Sequence, residues 1–177
     1  MKNLKLVFLS ALVFTLVTVS CKNDDDDNTT VEATNSMTIN GEEFSIETGF
    51  LTEFGENSDG SFDWDVTLIS DGFTIDINNE TVTGIGSSIY LDLNTNSATG
   101  LVPGTYTFSN ERAEFTWVDA EGVIDLNGET GEGNFFFAES GTVTITGTGN
   151  NQLIVVDLVD ENGNEITASY EGALQLL

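Results

Sequence analysis

From Ser36 onward, apolar residues recur at every second position in short runs, and no stretch carries the three-to-four spacing of an amphipathic helix. Met37 and Ile39, then Phe44 and Ile46, flank Asn40-Gly41, a two-residue hairpin turn whose positions both call for positive φ. Phe62, Trp64, Val66 and Leu68 share one face of the next run. Asp71-Gly72 turns the chain into Phe73, Ile75 and Ile77. Ile89, Leu91 and Leu93 form another face, followed by a loop over Asn94–Gly104 that holds the chain's one proline, Pro103. Tyr106 and Phe108, Phe115 and Trp117, Val123–Leu126, Asn134–Ala138, and Val143 with Ile145 each read as a short strand. Leu153–Val159 is apolar on both faces and reads as a doubly covered central strand. Glu165–Tyr170 and Ala173–Leu176 end the pattern. Ten or eleven short antiparallel strands predict an all-β domain. An antiparallel β-sandwich is the expected architecture, and a closed up-and-down β-barrel is the alternative.

The first part of the chain is patterned differently. Lys2 and Lys5 precede an apolar run from Leu6 to Val19, and Ser20 is a small residue ahead of Cys21. This is the layout of a secretory signal over 1–20, and the run is shorter than the ~20 residues a spanning helix needs. Cys21 is the only cysteine. It reads as a free thiol, as an intermolecular disulfide, or as a lipidation site; a secreted chain seldom leaves one thiol exposed. The segment "TVSC" resembles a bacterial lipoprotein box, with Thr18 where leucine is usual. The resemblance implies that the Cys21 thiol takes a diacylglycerol and becomes the new amino terminus. Lys22 and the aspartates Asp24, Asp25, Asp26 and Asp27 follow. "CKNDDDD" resembles the export segment of surface lipoproteins of Bacteroidota, which implies a lipid-anchored, surface-exposed protein of the outer membrane.

From Lys22 to Asn35 the chain is polar and predicts a disordered tether; these fourteen residues reach roughly 20 Å. The expected organisation is therefore signal 1–20, lipidated tether 21–35 and one domain over 36–177. The C-terminal stretch also resembles small β-rich lipoproteins of Bacteroidota, through "GTVT", a hydrophobic strand, "NG" and "YEG"; "PGTYTF" has the same character.

Charge narrows the function. From Ser36 on there are 25 acidic residues against one base, Arg112, which leaves a formal charge of −24. Such a surface repels phosphates, and a nucleic-acid partner is excluded on that ground. The chain contains no histidine, and the domain from Ser36 on contains no lysine. Serine–histidine triads, common zinc sites and Schiff-base chemistry therefore have no residues to use.

Carboxylates remain. As a glycosidase pair, Asp63 with Asp65, Glu121 with Asp125, and Glu111 with Glu114 are all available, too many to single one out. As calcium ligands, Asp59, Asp63 and Asp65 lie in "ENSDGSFDWD", and Asp92, Asn94 and Asn96 have alternating oxygen spacing, although an EF-hand's glycine and closing glutamate are missing. Calcium is thus the one cofactor considered, and ordinary turn chemistry is the competing reading. For Arg112, a structural tether to neighbouring carboxylates is favoured over a ligand clamp. Among aromatics, Trp64 and Trp117 alternate in phase with core positions, whereas Tyr90 is out of phase with Ile89, Leu91 and Leu93. Exposed, these three would form a sugar-stacking surface; in phase, the tryptophans pack in the core. The sequence thus points to a non-enzymatic, lipid-anchored envelope module, binding or accessory, whose partner is a glycan, an envelope protein or another unidentified ligand; a glycan-binding module of a polysaccharide-uptake system is the first alternative and a carboxylate-dependent glycoside hydrolase the lesser one.

Overall fold

The computed structural model describes residues 33–149 and 152–177. The predicted signal, Cys21, Lys22 and the aspartates lie outside the described residues. Eleven strands follow in order: β1 (Ser36–Ile39), β2 (Glu42–Glu56), β3 (Phe62–Ser70), β4 (Phe73–Asp76), β5 (Thr81–Thr95), β6 (Gly104–Phe108), β7 (Thr116–Asn127), β8 (Asn134–Thr146), β9 (Gln152–Asp160), β10 (Glu165–Gly172) and β11 (Leu174–Leu176). No helix occurs among the described residues.

The architecture is the closed barrel rather than the sandwich. Neighbours run β1-β2-β3-β5-β7-β8-β9-β10, and β1 pairs antiparallel with both β2 and β10, so the sheet returns on itself. Between β7 and β8 the ninth barrel strand, β6, is wedged at one end. It lies parallel to β7 through Thr107 and Phe108 and antiparallel to β8 from Gly104 to Thr107. Closure satisfies the backbone groups that a sandwich would leave along its edges. The Asn40-Gly41 turn forms as expected, with φ of 50° and 81°.

Several predicted strands merge. Val123–Leu126 belongs to the same strand as Trp117, and Asn134–Ala138 continues through Val143 and Ile145 as β8. Gly141 is what lets β8 run on. Its φ is +114°, and a Cβ there would sit 2.1 Å from the Asp157 carbonyl oxygen. Phe115 lies just outside β7 with φ of 59°. Ala173–Leu176 does not close the sheet; β11 lies parallel to β2 beside Gly49–Leu51, beyond the part of β2 that β1 covers.

Alternate side chains point inward and fill the barrel. Met37, Ile39, Trp64, Leu68, Leu91 and Trp117 are buried in this interior, together with Val143, Ile154, Leu158 and Ile166. Gly122 gives the interior room: a Cβ there would meet Ile39 Cγ2 at 2.9 Å. One end is capped by the Asn96–Pro103 loop. Trp64 Nε1 donates to the Ser97 carbonyl at 3.0 Å, Tyr106 Oη to the Val102 carbonyl at 2.8 Å, and Gln152 Nε2 to the Leu101 carbonyl at 3.0 Å. These bonds satisfy the polar ends of large buried side chains, which would otherwise be costly to bury.

The doubly covered strand is β3, not β9. On β9 only the Ile154, Val156 and Leu158 face is in the core, while Leu153, Val155 and Val159 are half-exposed on the outer wall. On β3 both faces are buried at most positions. Its outer side is covered by the β4–β5 hairpin at one end and by the Ser109–Phe115 loop at the other, as the contacts of Phe73 and Arg112 indicate. Thr34 and Asn35, assigned to the tether, are also engaged. The Asn35 carbonyl accepts from Ile46 N–H, and its Oδ1 accepts from Glu171 N–H, both at 2.8 Å.

Trp117 tests the interior. It is fully buried, so Trp117→Ala should cost about 3–5 kcal/mol. Thermal unfolding should show Tm falling by roughly 10 °C; a shift under about 2 °C would contradict a packed interior.

Candidate functional site: an acidic outer face

Cross-strand register builds one polar face on the outside of the barrel. Asp65 on β3 lies opposite Asp92 on β5, and Asp92 opposite Asp119 on β7. One row along, Thr67, Tyr90, Glu121 on β7 and Phe137 on β8 follow in line. Asp63 faces Asn94 at the next position. Outward residues of adjacent strands are neighbours, so the register alone concentrates the carboxylates.

Asp63, Asp65 and Asp92 each bring a carboxylate oxygen within 4.8 Å of the others. Arg112 reaches in from the Ser109–Phe115 loop. Its Nη2 lies 2.7 Å from Asp92 Oδ2, and Nη1 lies 2.8 Å from Asp92 Oδ1 and 2.7 Å from Asp63 Oδ2. Nη1 also donates to Asn94 Oδ1 at 3.2 Å. The grip on Asp92 is bidentate, the geometry that a planar guanidinium makes best. Asn57 Nδ2 donates to Asn94 Oδ1 at 2.8 Å and to Ser61 Oγ at 3.1 Å, tying the β2–β3 loop to this group. Tyr90 Oη donates to Asp65 Oδ2 at 2.6 Å.

One guanidinium cannot offset this many acids. Burial pushes the Asp65 carboxyl up to about 6, against the bond from Tyr90 and with help from the charges of Asp92 and Asp63. Burial and the charge of Asp92 raise Asp63, with Arg112 opposing. Burial and then Asp119 raise Glu121. Tyr90 is driven well above the usual phenol range by burial and by Asp65, so it remains a hydrogen-bond donor.

The candidate residues separate accordingly. Asp63, Asp65, Asp92 and Asn94, which the sequence offered in two separate stretches, come together through the pairing of β3 with β5. Asp59 and Asn96 do not join them. Asp59 accepts from the Ser61 hydroxyl at 2.8 Å, which holds its carboxyl below the usual range, and Asn96 is exposed in the capping loop. Among the acids offered as a glycosidase pair, Asp63 and Asp65 adjoin each other on one strand face, while Asp125, Glu111 and Glu114 are exposed. Trp64 and Trp117 are 3 % and 0 % exposed inside the barrel, so neither indole presents a ring to a ligand. Tyr90 does face outward, with its hydroxyl taken by Asp65.

No family model, curated protein or solved structure matches this chain.

Sequence reasoning missed a further pair. Phe135 and Phe137 are 42 % and 56 % exposed on the outer face of β8, with ring planes 10° apart and centroids at 6.1 Å. In "NFFFAES" three consecutive phenylalanines carry no period, and only the observed strand alternation separates Phe136, packed against the core, from its two neighbours.

The site yields two predictions. Asp65 has a folded value of about 6 against an ordinary 3.8. Its neutral form is therefore favoured by folding, and its stabilising contribution, full below about pH 4, is lost as pH rises through 6. Asp65→Asn should raise stability at pH 7 by on the order of 1 kcal/mol and leave it unchanged near pH 4, read by urea unfolding; no difference at either pH would contradict the strain. Removing the guanidinium is the converse test. The Arg112 side chain is 37 % exposed, so Arg112→Gln should cost about 1–3 kcal/mol rather than the full penalty of breaking a buried pair. With three uncompensated carboxylates left, millimolar calcium should raise the Tm of the Arg112→Gln chain more than that of the unaltered chain, compared with sodium chloride of equal ionic strength. Equal responses would show that no ion takes the place of the guanidinium.

Proposed function

We propose that this protein is a lipid-anchored binding module of a bacterial envelope, exported to the cell surface and without catalytic activity. The observation that carries the reading is the leader: a positive start, an apolar run too short to span a bilayer, and the chain's single cysteine with four aspartates beginning three residues after it. The −24 domain charge fits display in water on a tether, because it keeps the barrel soluble and away from anionic headgroups.

The barrel is consistent with binding on its outside. Its interior is occupied by side chains, so recognition falls to the outer wall and loops. The carboxylates that approach one another share Arg112 or Tyr90, which suits a rigid charged surface better than an acid–base pair set across a cleft.

Mass spectrometry of the amino-terminal peptide tests the anchor. The expected product begins at Cys21 with a thioether-linked diacylglycerol, and Cys21→Ser should move the protein from the membrane fraction to the soluble one. An unmodified Cys21 thiol, or a chain beginning at Met1, would overturn the reading.

A further inference from the structure

We propose that the outer face of β8, centred on Phe135 and Phe137, docks a basic segment of a protein partner, stacking an arginine or lysine side chain on the two rings and pairing its charge with Glu139 and Glu161. This rests on the reading of the chain as a binding module and names the chemistry it would recognise.

The two rings are parallel, exposed and on one strand face. Beside them lies a cleft of about 300 Å³, bounded by Glu139 on β8 and by the turn after β9. That volume is at the lower end for small-molecule sites, and suits one long side chain better than a branched ligand. Asp160 is consumed by its own turn. Burial works against its charge, but bonds from Asn164 and Asn162 hold it below the usual carboxylate range. Glu139 and Glu161 make no side-chain hydrogen bond or ion pair among the described residues. The cleft thus offers two ring faces and two uncommitted carboxylates.

Charge decides the occupant. The cross-strand neighbour of Phe137 is Glu121, which adjoins Asp119 and the Asp63–Asp65–Asp92 group. The domain's one base, Arg112, is already held by Asp63 and Asp92. A cation arriving from outside would be drawn by this field, and its attraction to the ring faces adds to the ion pairing. A neutral sugar would stack on the rings but gain nothing from the field. Arg112 shows the same recognition within the molecule, a guanidinium seated between outer-face carboxylates.

The test uses the full chain in neutral detergent and fluorescein-labelled octa-arginine, followed by fluorescence anisotropy. Binding should weaken as salt rises from 50 to 300 mM. Phe135→Ala with Phe137→Ala should weaken it about tenfold at fixed salt, since two exposed cation–π contacts are lost. Should that variant melt early, the leucine variant (Phe135→Leu with Phe137→Leu) keeps the apolar bulk, removes the ring faces and should show the same loss. Glu139→Gln with Glu161→Gln should weaken binding several-fold and flatten the salt dependence.

Equal affinity for the unaltered chain and the leucine variant would mean undirected attraction to an acidic surface and would overturn the proposal. So would saturable binding of maltoheptaose that is lost in the leucine variant while octa-arginine binding is kept. Neither result bears on the modification at Cys21, so the anchor and the docking face succeed or fail separately.

Discussion

Four residues carry the closure of this molecule. Strand β1, Ser36–Ile39, bonds along both of its sides, to Ser45–Glu42 of β2 and to Ser169–Ile166 of β10. Without it the first and last strands of the meander would each present a row of unpaired amides and carbonyls. Its inward residues, Met37 and Ile39, are buried, and Ile39 lies against the wall where Gly122 leaves space. Closure and core packing are thus the same event at this seam. Asn35 secures the start of the seam by accepting from Ile46 and Glu171, one residue on either neighbouring strand.

Closing the sheet sends one apolar face of the barrel strands inward and gathers acidic residues on the outside of β3, β5 and β7. The outer wall then must hold carboxylates side by side, with one base to moderate them. Arg112 is placed where register makes the crowding worst, between Asp63 and Asp92, and Tyr90 serves Asp65. Burial of β3 on its outer side increases the cost of these charges, which is why Asp65 and Asp63 titrate high.

Much of this was legible along the chain. Period-two alternation located Trp64, Val66 and Leu68, and also Ile89, Leu91 and Leu93, on core faces, and the Asn40-Gly41 turn has the conformation its residues require. Alternation also put Asp63 with Asp65 on one face and Asp92 with Asn94 on another. Their meeting was not legible, since it depends on the pairing of β3 with β5 across a hairpin extended by β4. Arg112 was singled out as a tether to neighbouring carboxylates, but its partners, 20 and 49 positions away, follow only from the packing of a loop on the barrel wall. The Phe135–Phe137 pair was hidden because three consecutive phenylalanines carry no period.

The sequence by itself determined that this is a sheet protein, strongly acidic, lacking histidine and rich in turn chemistry. Those properties reside in neighbours along the chain: alternation, turn residues and composition. The tertiary structure decided that the sheet closes, that β3 rather than β9 is covered on both sides, and that the aspartates converge on one guanidinium. Each of these depends on register between strands distant in sequence. A strand's residues dictate which faces are apolar, but only pairing dictates which faces meet.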